Sequence, residues 1–368
     1  MEVERDMAMV ALPFAAGVAI IVSWSSLLHS VSSMLSVLSC LIILSSIVIL
    51  SHPVHRIIPP AYMRLTISLC LVSCGMFCAL TGETSSAAGS ETARLMERIS
   101  RSAQLMSNTI DSIGFSSPDT NAIVKAFIIG DRSDIPLHIT EAFRSSGASH
   151  ILALSGLHLG IIYGIIFKVL SVLGNTQKAQ IIRSFSICAM CGIYTLAVGA
   201  GPSIVRAFLF ILLGETARVT GRFRNIRTVL IAALMIHLTV DPGAIKEIGF
   251  QLSYAAMAGI TFIFPWLKGF WPETYGKGRP VYWIWKTAAM SISCQIATGP
   301  LAWYYFGTFP VHFLLTNLIA LPLTGLIIPS ALVTISLHLC GISSETASRA
   351  TEVLVTALSD ALETISMM

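Results

Sequence analysis

From His150 to Leu173 the only formally charged side chain is Lys168. About 20 apolar residues in succession are what one helix needs to cross the hydrocarbon core of a bilayer. Runs of this kind recur at about 7–28, 34–50, 65–80, 150–173, 184–200, 202–217, 228–240, 249–267, 283–305 and 311–337. Only 11% of the residues are charged, against roughly 25% in a soluble domain. In lipid every backbone polar group has to be satisfied internally, and the ten-residue alternation of barrel strands is missing from the sequence. The expected fold is all-α: a polytopic helical membrane protein of about ten spans. Pro202, Pro300, Pro322 and Pro329 interrupt the apolar runs, so broken or re-entrant helices are expected among them. The head of the chain, MEVERD, lacks the basic region of a cleaved signal peptide.

Basic residues set the orientation of such spans. Arg218, Arg222, Arg224 and Arg227 share one loop, and Lys268, Lys277, Arg279 and Lys286 share another, two spans later. Counting back by pairs of spans puts Lys178 and Arg183, then Arg56 and Arg64, on the same side. That side is expected to be cytoplasmic, with the N-terminus inside and residues 81–149 outside. The division that follows is 1–80 as N-terminal spans, 81–149 as a helical insert, 150–337 as the transmembrane core and 338–368 as an amphipathic C-terminal helix.

Within the insert, Leu95, Ile99, Met106, Ile110 and Ile113 repeat at helical spacing, which predicts a helix over 91–113. Ser117-Pro118-Asp119 is a helix start, and Gly130 a stop. Pro136 and Gly147 bracket a third helix. The expectation is that these helices lie on the membrane surface, their apolar faces having little else to cover. In the C-terminal segment Leu354, Ala357, Leu358, Ala361, Leu362 and Ile365 share a face.

Eight cysteines are present. Cys70, Cys74 and Cys78 form a stripe, and Cys188 and Cys191 a CxxC, but both lie in apolar runs and read as packing residues. A reactive pair would want charged, accessible surroundings. The net charge of +4 does not by itself argue for nucleic acid.

The stretch SSGASHILALSGLHLGIIYG holds the densest chemistry. Gly156, Gly160 and Gly164 make a small-xxx-small ridge suited to close helix approach. Ser155 and His158 are three apart, as a serine–histidine dyad could be, but the surrounding sequence lacks a third partner. His150 and His158 are eight apart, too far for a zinc site on one helix, so no metal or cofactor is expected. Arg206 lies inside an apolar run, where an arginine costs at least about 2.5 kcal/mol on insertion scales. It faces a wet cavity or snorkels to an interface. Gln251, Gln295 and Asn317 add amides to three further runs. Together with Arg206, His150, Ser155 and His158 they are the candidates for lining a polar path. Trp266, Trp283 and Trp303 flank spans and read as an interfacial belt.

The blocks AFIIGDRSDIPLHITEAFRSSGASHILALSGLHLG (126–160), GAGPSIVRA (199–207), DPGAIKEIGFQLSYAA (241–256), SCQIATGPLAWYYFGTFP (293–310) and NLIALPLTGLIIP (317–329) resemble the integral-membrane competence domain of the ComEC family. These are the DNA-uptake channel proteins of bacterial natural transformation. The resemblance implies a channel that passes one DNA strand across the cytoplasmic membrane. It also implies two further domains, an OB-fold-like one and a metallo-β-lactamase-like one. The insert reads helical and is too short for a barrel, and no HxHxDH motif occurs in the sequence. The nuclease role therefore does not carry over, and a separate nuclease or DNA receptor is expected among other competence partners.

The expected function is then a non-enzymatic channel for single-stranded DNA, in contact with the lipid bilayer. Arg94, Arg98, Arg101, Arg132 and Arg144 of the insert are candidates for receiving DNA outside. The strand's phosphates ask for cationic or dipolar lining at several weak sites. Two other classes stay open on these residues. One is a transporter of a small anion or lipid. The other is an intramembrane hydrolase using Ser155 and His158.

Overall fold

The computed structural model describes residues 2–28, 60–84, 103–221, 225–271, 280–307, 311–342 and 344–368, with a few isolated positions between 35 and 43. The run at 34–50 and the helix expected over 91–102 lie largely outside the described residues. Among the described residues there is no strand. The protein is an all-α membrane protein.

The chain forms two compact units, residues 1–93 with 221–254, and residues 94–220 with 255–368. In the first, α1 (Glu2–Leu28) and α2 (Pro60–Thr84) pack along each other. Their contact is a reciprocal glycine approach. A Cβ on Gly17 would collide with the carbonyl of Val72, and one on Gly75 with the carbonyl of Phe14. Removing the side chain at both crossing points lets the backbones close up, as small residues do between helices in membranes.

The second unit begins with α3 (residues 103–113), α4 (Pro118–Ile128), α5 (Leu137–Ser145) and the single turn α6 (Ser149–Leu152). It continues through α7 (Gly156–Leu170), α8 (Gln177–Ala197) and α9 (Pro202–Val219). In the first unit α10 (Ile226–Val240) follows, and α11 (Ile248–Ala258) carries the chain across the boundary between the units. A π-turn at Gly259–Ile263 leads into α12 (Phe264–Lys268), then α13 (Pro280–Phe306), α14 (Phe313–Leu339) and α15 (Glu345–Ser366). The helix-start and stop signals of the insert are met: α4 opens at Pro118, and Gly130 and Gly147 turn the chain with φ of +78° and +83°.

Among the described residues four segments are long and apolar enough to cross a membrane: Gly156–Leu173, Gln177–Ala197, Ile248–Lys268 and Phe313–Leu339. Shorter apolar helices lie at Ala11–Ser23, Ile67–Ala79 and Ile226–Val240. α14 runs unbroken through Pro322 and Pro329.

The expectation that the insert helices have little to cover is overturned. Ile123 and Phe127 of α4 and Phe143 of α5 are enclosed in one core with Ile327 and Ile328 of α14 and Leu358 and Leu362 of α15. The amphipathic faces of the insert and of the C-terminal helix are two halves of one interior, which periodicity alone cannot pair. The stripe that α15 buries is Thr351, Val355, Leu358, Leu362 and Ile365, so Ala357 of the expected face stays exposed. Polar clamps reinforce the joint. Ser330 Oγ and Thr334 Oγ1 lie 2.6 and 3.1 Å from Thr351 Oγ1. Ser112 Oγ is 2.8 Å from His338 Nε2, and the Ser116 amide donates to Glu352.

Candidate functional site

The residues singled out in the sequence separate into several places. At the head of α7, Ser155 is the N-cap and His158 completes a capping box. The Ser155 amide donates to His158 Nδ1 at 3.1 Å, and the Leu157 amide to Ser155 Oγ at 3.3 Å. An Nδ1 that accepts a backbone N–H leaves the ring proton on Nε2. That atom is enclosed and unpartnered, and His158 is 0% exposed with Phe127 edge-on at 5.3 Å. Ser155 Oγ is 3.0 Å from Nδ1, but both groups are occupied in satisfying the free amides of a helix start. This is cap geometry.

Arg206 joins this cluster from α9. It is 8% exposed, its guanidinium is 5.8 Å from the Phe210 ring centroid, and it lies against Gly156. Cys294, one residue before Gln295 on α13, is within electrostatic reach of it. A cation beside the N-terminal turn of α7 adds to the positive end of that helix's dipole. Two positive features therefore converge on one spot, the arrangement that attracts an anion.

His150 and Asn317 form a second place. The His150 ring bonds to the Gly147 carbonyl, with Nδ1 at 3.1 Å, and lies near the Asn317 side chain. Asn317 Oδ1 is enclosed without a partner. Next to them Thr316 Oγ1 donates to the Ser146 carbonyl at 2.6 Å. Gln295 lines a different feature, an open apolar groove of about 450 Å³ with Ile292, Ile296, Gly299, Pro300, Trp303 and Phe313. Gln251 belongs to the first unit and donates to the Ile245 carbonyl at 2.9 Å, tying α11 to the turn before it.

Of the ridge glycines, Gly156 makes the close approach. At Gly160 and Gly164 no atom among the described residues lies within 4 Å of where a Cβ would stand. Arg94, Arg98 and Arg101 lie outside the described residues. Arg132, in the turn before α5, and Arg144, on α5, are exposed; a cleft of about 140 Å³ between α4, α5 and α15 is lined by Asp119, Asp360 and Glu363. A latch joins α3, α4 and the turn after α4: Lys125 Nζ is 2.8 Å from both Asp111 and Asp134. Burial alone would lower the Lys125 ammonium; the bonds to the two carboxylates outweigh it and hold it above its ordinary value.

One polar cluster escaped the sequence reading. Glu215 of α9, 2% exposed, accepts from Tyr163 at 2.8 Å, Ser184 at 2.7 Å and Arg218 at 2.7 and 2.9 Å. The guanidinium carbons of Arg183 and Arg218 lie 5.0 and 4.7 Å from the Phe167 ring centroid. Glu215 inside the apolar run 202–217 was the available signal. Its partners come from three helices, which no local pattern links. Among the described residues no three His, Cys, Asp or Glu side chains gather as metal ligands would.

The sequence profile of the competence protein family matches residues 127–368. The chain belongs to that family. The matched part of this competence protein starts inside α4 and takes in the α7 cap, Arg206 and the C-terminal helix. It is similar to ComE operon protein 3 of Bacillus subtilis (strain 168), 29% identical over 58% of this chain and 26% of the relative. It is also similar to the uncharacterized protein YcaI of Escherichia coli (strain K12), 26% identical over 60% of this chain and 30% of the relative. The chain thus spans less than a third of the length of these two curated relatives in the matched regions. No solved structure matches it.

Proposed function

We propose that this competence protein conducts single-stranded DNA across the bacterial cytoplasmic membrane during natural transformation. The observation that carries the proposal is Arg206, buried and set against the N-terminal turn of α7. A phosphate passing there meets a guanidinium and a helix dipole together. The enclosed His158 Nε2 lies three residues into the same helix. His150 with Asn317 supplies a second polar place. Few, separate stations suit conduction, which needs binding weak enough to release the strand. Family membership points in the same direction, and other competence proteins would deliver the DNA and degrade the second strand.

Orientation is part of the same reading: N-terminus inside, residues 81–149 outside, in the cytoplasmic membrane. The bonds of Ser112 to His338 and of Ser116 to Glu352 tie the insert to the end of α14 and to α15. Two segments so joined share one side, which asks for an even number of crossings between them. The apolar runs from 150–173 to 311–337 number seven (150–173, 184–200, 202–217, 228–240, 249–267, 283–305 and 311–337). One of them is therefore read as re-entrant.

The test is transformation of a deletion strain complemented with the wild-type chain or with Arg206→Ala, following fluorescent DNA. Wild type should return DNA to the cytoplasm, and Arg206→Ala at equal abundance should leave it bound outside. Normal DNA entry in the deletion strain would overturn the proposal.

A further inference from the structure

We infer that the end of the α7–α8–α9 bundle that carries Arg183 and Arg218 is a binding site for the phosphate of an anionic phospholipid headgroup.

The argument starts from an unbalanced charge. Glu215 is the carboxylate of this cluster, and Arg218 takes it with two bonds from Nη1. Tyr163 and Ser184 fill its remaining acceptor positions. Arg183 is left over. It is 4% exposed and forms no ion pair with any described residue. Its one hydrogen bond runs from Nη1 to the Gly174 carbonyl at 3.5 Å, the outer limit of such a bond. Nε is enclosed with no acceptor at all. Nη2 also lacks a partner yet is not among the enclosed atoms, so it reaches the surface. The Phe167 face offsets part of the charge but supplies no acceptor for an N–H.

A buried guanidinium with unmet donors is costly, and its ordinary remedy is an oxyanion that accepts in the plane of the fork. Phosphate has that geometry. The second guanidinium, on Arg218, lies against the same Phe167 ring and is 32% exposed. Lys168 and Lys178, exposed on the flanking helix ends, raise the local positive potential.

The surroundings identify the source of the phosphate. The turn that holds the Gly174 carbonyl over Arg183 also carries Val172, 89% exposed, and Leu173, 51% exposed, with Val169 at 64% just before them. Aliphatic side chains projecting beside two arginines and two lysines belong at the level where acyl chains meet headgroups. A basic pocket between helix ends at that depth suits an anionic lipid. A DNA strand would have no use for the aliphatic rim.

The experiment uses the full chain purified in detergent and native mass spectrometry, with phosphatidylglycerol and phosphatidylcholine offered in equal amounts. Wild type should retain phosphatidylglycerol about tenfold more strongly, the size expected of one charge-assisted contact, and Arg183→Gln should lose that preference. Equal retention of the two lipids by wild type would overturn the site. So would an unchanged preference in Arg183→Gln. Displacement of phosphatidylglycerol by millimolar inorganic phosphate, or by a single-stranded oligonucleotide, would also overturn it, by showing that the pocket takes free phosphate or DNA. Where Arg183→Gln does not survive purification, Arg183→Lys serves: it keeps the charge and loses the fork. Its preference should fall, and a preference equal to wild type would overturn the inference. DNA entry is not read in this experiment, so its failure leaves the channel proposal standing.

Discussion

The guanidinium of Arg206 rests on Gly156: a Cβ added to that glycine would stand 3.0 Å from Nη2 and 3.2 Å from the Cβ of Ala207. The guanidinium is the far end of a flexible side chain and can move; Ala207 sits in the core between α7 and α9 and cannot. Gly156→Val is therefore expected to displace Arg206 and to destabilise the α7–α9 contact by about 1–3 kcal/mol. DNA entry should fall in the same way as in Arg206→Ala. Gly160→Leu meets no neighbour within the described residues and should melt like wild type. Thermal melting of both variants in detergent checks this, and the reverse order of effects would remove the packing account.

Ser155 predicts a cap-like response. Ser155→Ala should cost about 1 kcal/mol, and Ser155→Asn should restore most of it, since asparagine also accepts a helix amide. A nucleophile would behave differently: asparagine would not rescue it. DNA entry measured alongside melting for the two variants separates these outcomes.

Lys125 holds Asp111 and Asp134 together with a side chain that is 7% exposed, while the two carboxylates are 48% and 55% exposed. Removing the cation leaves acids that water can still solvate, so the loss should be smaller than for a fully buried pair. Lys125→Met is expected to destabilise by about 1–2 kcal/mol. The hydrogen bond from Lys125 holds the Asp111 carboxyl below its ordinary value, although burial opposes it. A depressed acid contributes stability above its unfolded pKa and loses it as pH falls through the folded one; a raised lysine loses it as pH climbs past its folded value. The latch should thus be insensitive to pH around neutrality and weaken only at the acid and alkaline extremes. A melting temperature in wild type, but not in Lys125→Met, that drifts between pH 6 and 8 would contradict this.

The tie between Ser112 and His338 makes a topological prediction. In a background with the native cysteines replaced, Thr109→Cys and Met368→Cys should react with a membrane-impermeant maleimide from the same side. Labelling from opposite sides would return all seven runs between the insert and α15 to full crossings.

Gly259 opens the π-turn, and a Cβ there would collide with the Ser293 carbonyl and stand 3.0 Å from Ala297 Cβ. Backbone cannot yield as a side chain can. Gly259→Val should lower the yield of folded protein sharply, which size-exclusion chromatography would show, whereas Gly249→Val, with no neighbour near its Cβ among the described residues, should not.

Much of this protein was legible in the chain itself. Apolar run length made it a helical membrane protein because lipid leaves the backbone no other partner. The starts and stops at Pro118, Gly130 and Gly147 were local; the three-residue spacing of Ser155 and His158 was local too, but it read as a dyad or polar lining, and only the structure shows a capping box. Pairing was not local. That Leu358 and Leu362 cover Phe127, that Glu215 collects bonds from Tyr163 and Ser184, and that Arg206 sits on Gly156 all join residues far apart in sequence. An amphipathic face records that something must cover it, not what does. A glycine ridge records that approach is possible, and only the tertiary structure decided that it happens at Gly156 and not, among the described residues, at Gly160 or Gly164. The sequence determined which groups have to be buried or satisfied; the packing of distant helices decided by whom.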